Sequence, residues 1–277
     1  MTLQEMRTCA AETLTYFIRT MPDVPFRESD IIIEFAPKVK MAERAKALCA
    51  QYVPDKIINE SQAAQLNQAI TANALIGRNK SAVIARINYK MSRQDWRRVF
   101  FHEYMHIFCA KIEMDGDHFI EVYGSGTTPE NSDFTPEERE YDGYLVAGYK
   151  IWSEFIAQYY ALLKTENRTK ITVAREDAYI NSLLAEVTIF NMEESKGSLS
   201  MACAYLLTCV DANETVAMLK EPDDEMPESQ KEFLSCLFLI YEHLQNEKPW
   251  KINEEFIVEL GKRFIRFRML NSVPTGR

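Results

Sequence analysis

Apolar side chains recur at helical spacing along much of the chain. Leu3, Met6, Ala10, Leu14 and Phe17 fall three or four residues apart, which predicts a helix over residues 3–20. Residues 38–52 and 60–72 carry the same texture. Residues 30–35 read DIIIEF, an apolar run that suits either a strand or the start of a helix. Two apolar runs, residues 74–76 and 82–88, then flank the turn-forming stretch Gly77-Arg78-Asn79-Lys80, which predicts a β-hairpin. Residues 93–111 return to helix and are dense in large apolar residues.

The pattern lapses between residues 114 and 134, where Asp, Gly, Ser, Thr and Pro dominate and a long loop is expected. Thr135, Pro136 and Glu138 then form a helix start, with a capping hydroxyl, a proline at the first helical position and a glutamate to close a capping box. Gly143 and Gly148 are expected to break this helix before a second stretch, about 146–164, that runs through Leu163. Beyond residue 165 the pattern is helical, punctuated at 167–168, 196–198, 221–227 and Pro249. No internal repeat or low-complexity tract interrupts it. The expected fold class is α+β, mostly α: helices around a small β-sheet or hairpin. Residues 1–165 form the expected first domain. Residues 166–277 form a helical C-terminal region that either stands apart or packs on the same core.

Composition narrows the picture. With 277 residues, 47% hydrophobic and 26% charged, the chain has ordinary globular usage and enough length for a substantial core. A net charge of −9 argues against a nucleic-acid partner. The clearest basic cluster, Lys262, Arg263, Arg266 and Arg268, reads as the solvated face of a last helix. Six cysteines without a C-x-x-C pair, most of them in apolar helical stretches, read as buried thiols in a reducing compartment. The N-terminal stretch lacks the basic-then-apolar order of a secretion signal. The longest apolar run, 233–241, is too short to cross a bilayer, so a cytoplasmic protein without membrane contact is expected.

The candidate chemistry lies in His102-Glu103-Tyr104-Met105-His106, an H-E-x-x-H on a predicted helix. Residues four apart share one helical face, so both imidazoles can reach one ion. Glu103 is rotated by about 100° from His102, beside the ion, where it can take a proton from water. The apolar flanks (Val99, Phe100 and Phe101 before, Ile107 to Ala110 after) predict a buried helix, in which such polar groups are costly unless something satisfies them. Zinc in a catalytic site takes three protein ligands, and Glu154 is the candidate for the third. It stands among Trp152, Phe155 and Ile156, where a lone carboxylate would be expensive. Gln158, one turn on, can hydrogen-bond a ligand imidazole. His118, Tyr123 and Tyr149 are candidate donors to a developing oxyanion.

With these residues in view, the chain resembles gluzincin zinc metallopeptidases, most closely the ImmA/IrrE type. The likeness spans about residues 74–165, from the strand AVIARIN through RRVFFHEYMHIF. It implies a zincin-like core, His102, His106 and Glu154 as ligands, Glu103 as general base, and hydrolysis of a protein or peptide substrate. Gln158 stands where the common gluzincin helix has Asp. Two rival readings are a catalytically silent zinc centre supporting partner binding and a metal-free helical interaction protein. Glu103 favours the enzyme, since a purely structural site has no use for it. Val83–Asn88, close to the motif helix in sequence, is expected to accept an extended substrate segment as an added strand.

Overall fold

The computed structural model describes residues 1–68, 71–112, 119, 123–124, 135–165, 192–209 and 228–272. The chain divides into two compact units, one of residues 1–113 with 160–166, the other of residues 114–159 with 167–277. This partition differs from a boundary near residue 165, because one helix gives its last turn and a half to the first unit and the rest to the second. Most described residues are helical, and the strands form one small sheet.

In the first unit, α1 (Leu3–Thr20) starts at a capping box between Thr2 and Glu5 and buries Met6, Ala10, Leu14 and Phe17, the stripe its spacing predicts. The DIIIEF run resolves as strand β1 (Ile31–Ala36). A 3₁₀ turn at Lys38–Lys40 leads into α2 (Met41–Tyr52). Helix α3 (Glu60–Gln68) stops short of the expected residue 72, where β2 (Ala72–Leu75) begins. The predicted hairpin is present: β2 runs antiparallel to β3 (Ser81–Arg86), with Leu75 opposite Ala82. β1 lies parallel to β3 on its other side, with Ile31 opposite Ser81, so the strand order is β1-β3-β2.

β3 therefore has a strand on each side and apolar packing on each face. Ala82 and Ile84 join a cluster with Met41, Ala45, Leu48 and Leu66 from α2 and α3. Strand alternation turns Val83 and Ala85 to the opposite face. There Phe35, paired with Ala85, meets the rings of Trp96 and Phe100. Those rings belong to α4 (Arg93–Lys111), whose bounds match the expectation. Ser92 and Asp95 form its capping box. Nine of its residues are buried and they do not keep to one stripe, as expected for a helix enclosed on several sides. Phe17 of α1 packs against Phe101, Tyr104 and Phe108 of α4. Tyr104 donates its hydroxyl to the Ala10 carbonyl at 3.0 Å.

The second unit contains the greater part of α5 (Pro136–Thr165), together with α6 (Met192–Cys209), α7 (Glu228–Leu244) and α8 (Glu254–Ser272). The predicted start of α5 is confirmed: the Thr135 amide donates to Glu138, and the Glu138 amide donates to the Thr135 hydroxyl. The expected break at Gly143 and Gly148 does not occur, and α5 is one helix of 30 residues. At Gly148 the missing side chain serves packing. A Cβ there would strike the carbonyl of Ile257 in α8, and a Cβ at Gly261 would strike the carbonyl of Tyr144. The helix backbones approach at two reciprocal glycines.

The turn between α7 and α8 is gathered around His243. Its Nε2 lies 3.1 Å from the carbonyls of both Pro249 and Lys251, and its ring stacks on Phe256 at 3.9 Å. The residues at which the pattern was punctuated at 167–168 and 221–227, and most of the 114–134 stretch, lie outside the described residues. No described helix is long and apolar enough to cross a membrane.

Candidate metal centre

Helix α4 brings the two histidines together as the four-residue spacing requires. Their Nε2 atoms face each other at 3.0 Å, and the rings are nearly perpendicular, at 78°. Two ligands on a tetrahedral zinc, each about 2.0–2.1 Å from it, stand about 3.3 Å apart. The imidazole pair is thus already spaced for one ion. Both histidines are half-buried, and Glu103, the next residue after His102, is 7% exposed. Rotation along the helix keeps Glu103 off the His102–His106 face.

The third member comes from α5. Ligand atoms of His102, His106 and Glu154 all lie within 4.8 Å of one another, and among the described residues this is the one His, Cys, Asp or Glu group so arranged. The expectation of an enclosed carboxylate needs correction. Trp152, Phe155 and Ile156 are buried, but Glu154 keeps part of its surface accessible, on the other side of the helix. Desolvation cost is therefore not what recommends it; convergence with the imidazoles is. The donor set of two imidazoles and one carboxylate suits zinc.

The remaining candidates divide. Gln158 is buried, one turn after Glu154. Tyr149 stacks on Phe119 with ring centroids 6.0 Å apart, and Tyr123, 41% exposed, packs on the same Phe119 at 4.7 Å. His118 lies outside the described residues. Two other polar groups near the motif sit in buried surroundings. Burial pushes the Tyr104 phenol well above its ordinary range, with the nearby Cys9 and Glu103 adding to the effect. Burial also pushes the Cys109 thiol up, so it offers no thiolate. Two of the four basic residues are engaged locally: Arg263 donates to Glu259 and to the Ser235 carbonyl, and Lys262 lies over the Tyr144 ring.

The expected strand-addition surface on Val83–Asn88 does not exist. β3 is the central strand, and its two sides are taken by β1 and β2. Sequence reasoning also missed two side chains that touch the helix carrying Glu154. Tyr16 of α1 donates to the Lys164 carbonyl, and Gln94 of α4 donates to the Thr165 carbonyl. No sequence signal could have found them, since 148 and 71 residues separate the partners.

Compared with protein families, curated proteins and solved structures, the chain matches none.

Proposed function

We propose that the protein is a zinc-dependent peptidase with a zincin-like core, of the gluzincin kind and nearest the ImmA/IrrE type. The observation that carries this reading is the convergence of His102, His106 and Glu154, with a buried carboxylate at Glu103 beside them. His102, His106 and Glu154 would hold the ion. When bound, zinc supplies a Lewis acid that acidifies water and polarises a peptide carbonyl.

The chain's own residues do the rest. Glu103 accepts the proton of the attacking water and passes it to the leaving amine, as a C–O bond forms and the C–N bond breaks. Its burial limits competing water around the carboxylate. The ends of α4 are tied down, by the Ser92 and Asp95 capping box and by Lys111, which donates to the Gly77 and Arg78 carbonyls. A helix so anchored holds both imidazoles and the base in one frame.

Protein purified without chelator is expected to carry about one zinc per chain by elemental analysis, and His102→Ala to carry none. Glu103→Gln should keep the metal and lose about 10²–10⁴-fold in hydrolysis of a diverse mixture of unfolded peptides read by mass spectrometry. Metal-free wild-type protein, full zinc in His102→Ala, or native-rate cleavage by Glu103→Gln would each overturn the reading.

A further inference from the structure

β1 is an edge strand and lies wholly within the first unit. Among the described residues it has a strand on one side only, and at six residues it is longer than β2, the other edge. An open edge presents a row of backbone donors and acceptors that another strand can pair with. The Ala36 carbonyl accepts from the Ile87 amide at 2.9 Å, so the backbone groups of Ala36 turn toward β3. Alternation along the ladder turns those of Ile32 and Glu34 the same way, and those of Ile31, Ile33 and Phe35 outward. The Ile31 amide agrees, since it donates back to the Glu28 carbonyl.

The side chains alternate between the two faces of the sheet. Ile31, Ile33 and Phe35 share the face on which Phe35 meets Trp96 and Phe100, and Ile32 packs on the other against the cluster under α2. Five of the six β1 residues are apolar, and the inner four keep part of their surface accessible. The single charge, Glu34, is drawn back by Arg44 of α2, whose Nε donates to it at 2.6 Å. Neither lysine nor proline, the usual protections of an edge, stands within the strand.

The strand is complementary to itself. In an antiparallel pair of such edges, outward residues meet outward residues, which leaves registers two residues apart. Ile33 opposite Phe35 would set Glu34 against Glu34 and need an amide that Pro37 lacks. Ile31 opposite Ile33 would set Asp30 against Glu34. Ile33 opposite Ile33 avoids both faults. It sets Ile31 against Phe35, and at either end it brings the exposed Glu28 toward the exposed Lys38 of the other copy. The two Ile33 residues exchange backbone bonds, and each Phe35 amide reaches an Ile31 carbonyl.

We propose that β1 docks on β1 of a second copy of this chain, antiparallel, with Ile33 opposite Ile33. The contact is small, so the dimer forms reversibly, at the weak end of specific association.

The test is sedimentation equilibrium of the full chain from about 1 μM to 1 mM, where a contact of this size is populated. The native chain is expected to pass from monomer toward dimer over that range. Ile33→Pro removes an outward amide, which an edge strand tolerates, and should weaken the dimer by at least about tenfold. Ile33→Glu and Ile33→Lys should each stay monomeric, and an equimolar mixture of the two should dimerise again, because opposite charges then meet across the strands. A fold that is merely destabilised is not rescued by mixing. If the Ile33 variants fail to fold in a circular-dichroism melt, the exposed pair Glu28→Lys and Lys38→Glu carries the same comparison, each weaker than native alone and restored when mixed. A native chain that stays monomeric throughout overturns the proposal, and so does a dimer that folded Ile33→Pro leaves unchanged, or a mixture that associates no more strongly than its components.

Discussion

Glu154 shows how far one residue's chemistry can be read from its neighbours. Apolar flanks singled it out for a reason the structure replaces, since the flanking rings face inward and the carboxylate remains partly accessible. The His102–His106 pair needed no such luck, because both belong to one helix and a four-residue spacing is a geometric statement. Glu140, an earlier carboxylate of the same helix, accepts the Tyr144 hydroxyl one turn further along α5. Glu154→Ala is expected to weaken zinc affinity by more than the roughly 10–100-fold that outer hydrogen-bond partners of ligands give. A chelator-competition titration in which the variant stays within tenfold of the native protein would remove Glu154 from the ligand set.

Among the elements, α5 departed most from its sequence pattern. Glycine commonly ends helices, yet Gly148 sits inside one because the Ile257 carbonyl occupies the space a side chain would need. Gly143, in the same helix, has nothing within 4 Å of a Cβ position. The two sites should therefore answer the same substitution with opposite signs. Gly143→Ala is expected to stabilise by about 0.5–1 kcal/mol through helix propensity. Gly148→Ala should destabilise by about 1–3 kcal/mol through overpacking. Denaturant melts decide this, and a stabilised Gly148→Ala would show that the backbones do not approach so closely.

The α7–α8 turn offers a second test at this scale. Burial lowers the pKa of His243, against the opposing effect of its bonds to the Lys251 and Pro249 carbonyls. The unfolded chain takes up the proton first, near pH 6.5. The stability that His243 contributes is therefore complete above about pH 6.5 and is lost as pH falls toward the lower folded value. Unfolding free energies of native and His243→Gln protein should converge between about pH 7.5 and pH 5.5. A difference that is constant over that range would show that His243 does not titrate on unfolding.

For the whole molecule, local signals were legible and long-range ones were not. The capping boxes, the hairpin and the bounds of α4 follow from residues within a few positions of one another. The identity of DIIIEF as a strand depended on pairing with β3, fifty residues downstream in register, and a short apolar run alone does not distinguish strand from helix. The same pairing made β3 central and closed the side on which an added strand had been expected.

The membership of residues 160–166 in the first unit has a consequence in time. A growing chain that has reached residue 113 still lacks the segment that Tyr16 and Gln94 grasp. Another 53 residues must be made first, about 3–10 s at ordinary rates of synthesis. The first unit completes itself late, with a piece delivered from beyond the start of its neighbour, and no cut of the gene at one point can express it whole without part of that neighbour.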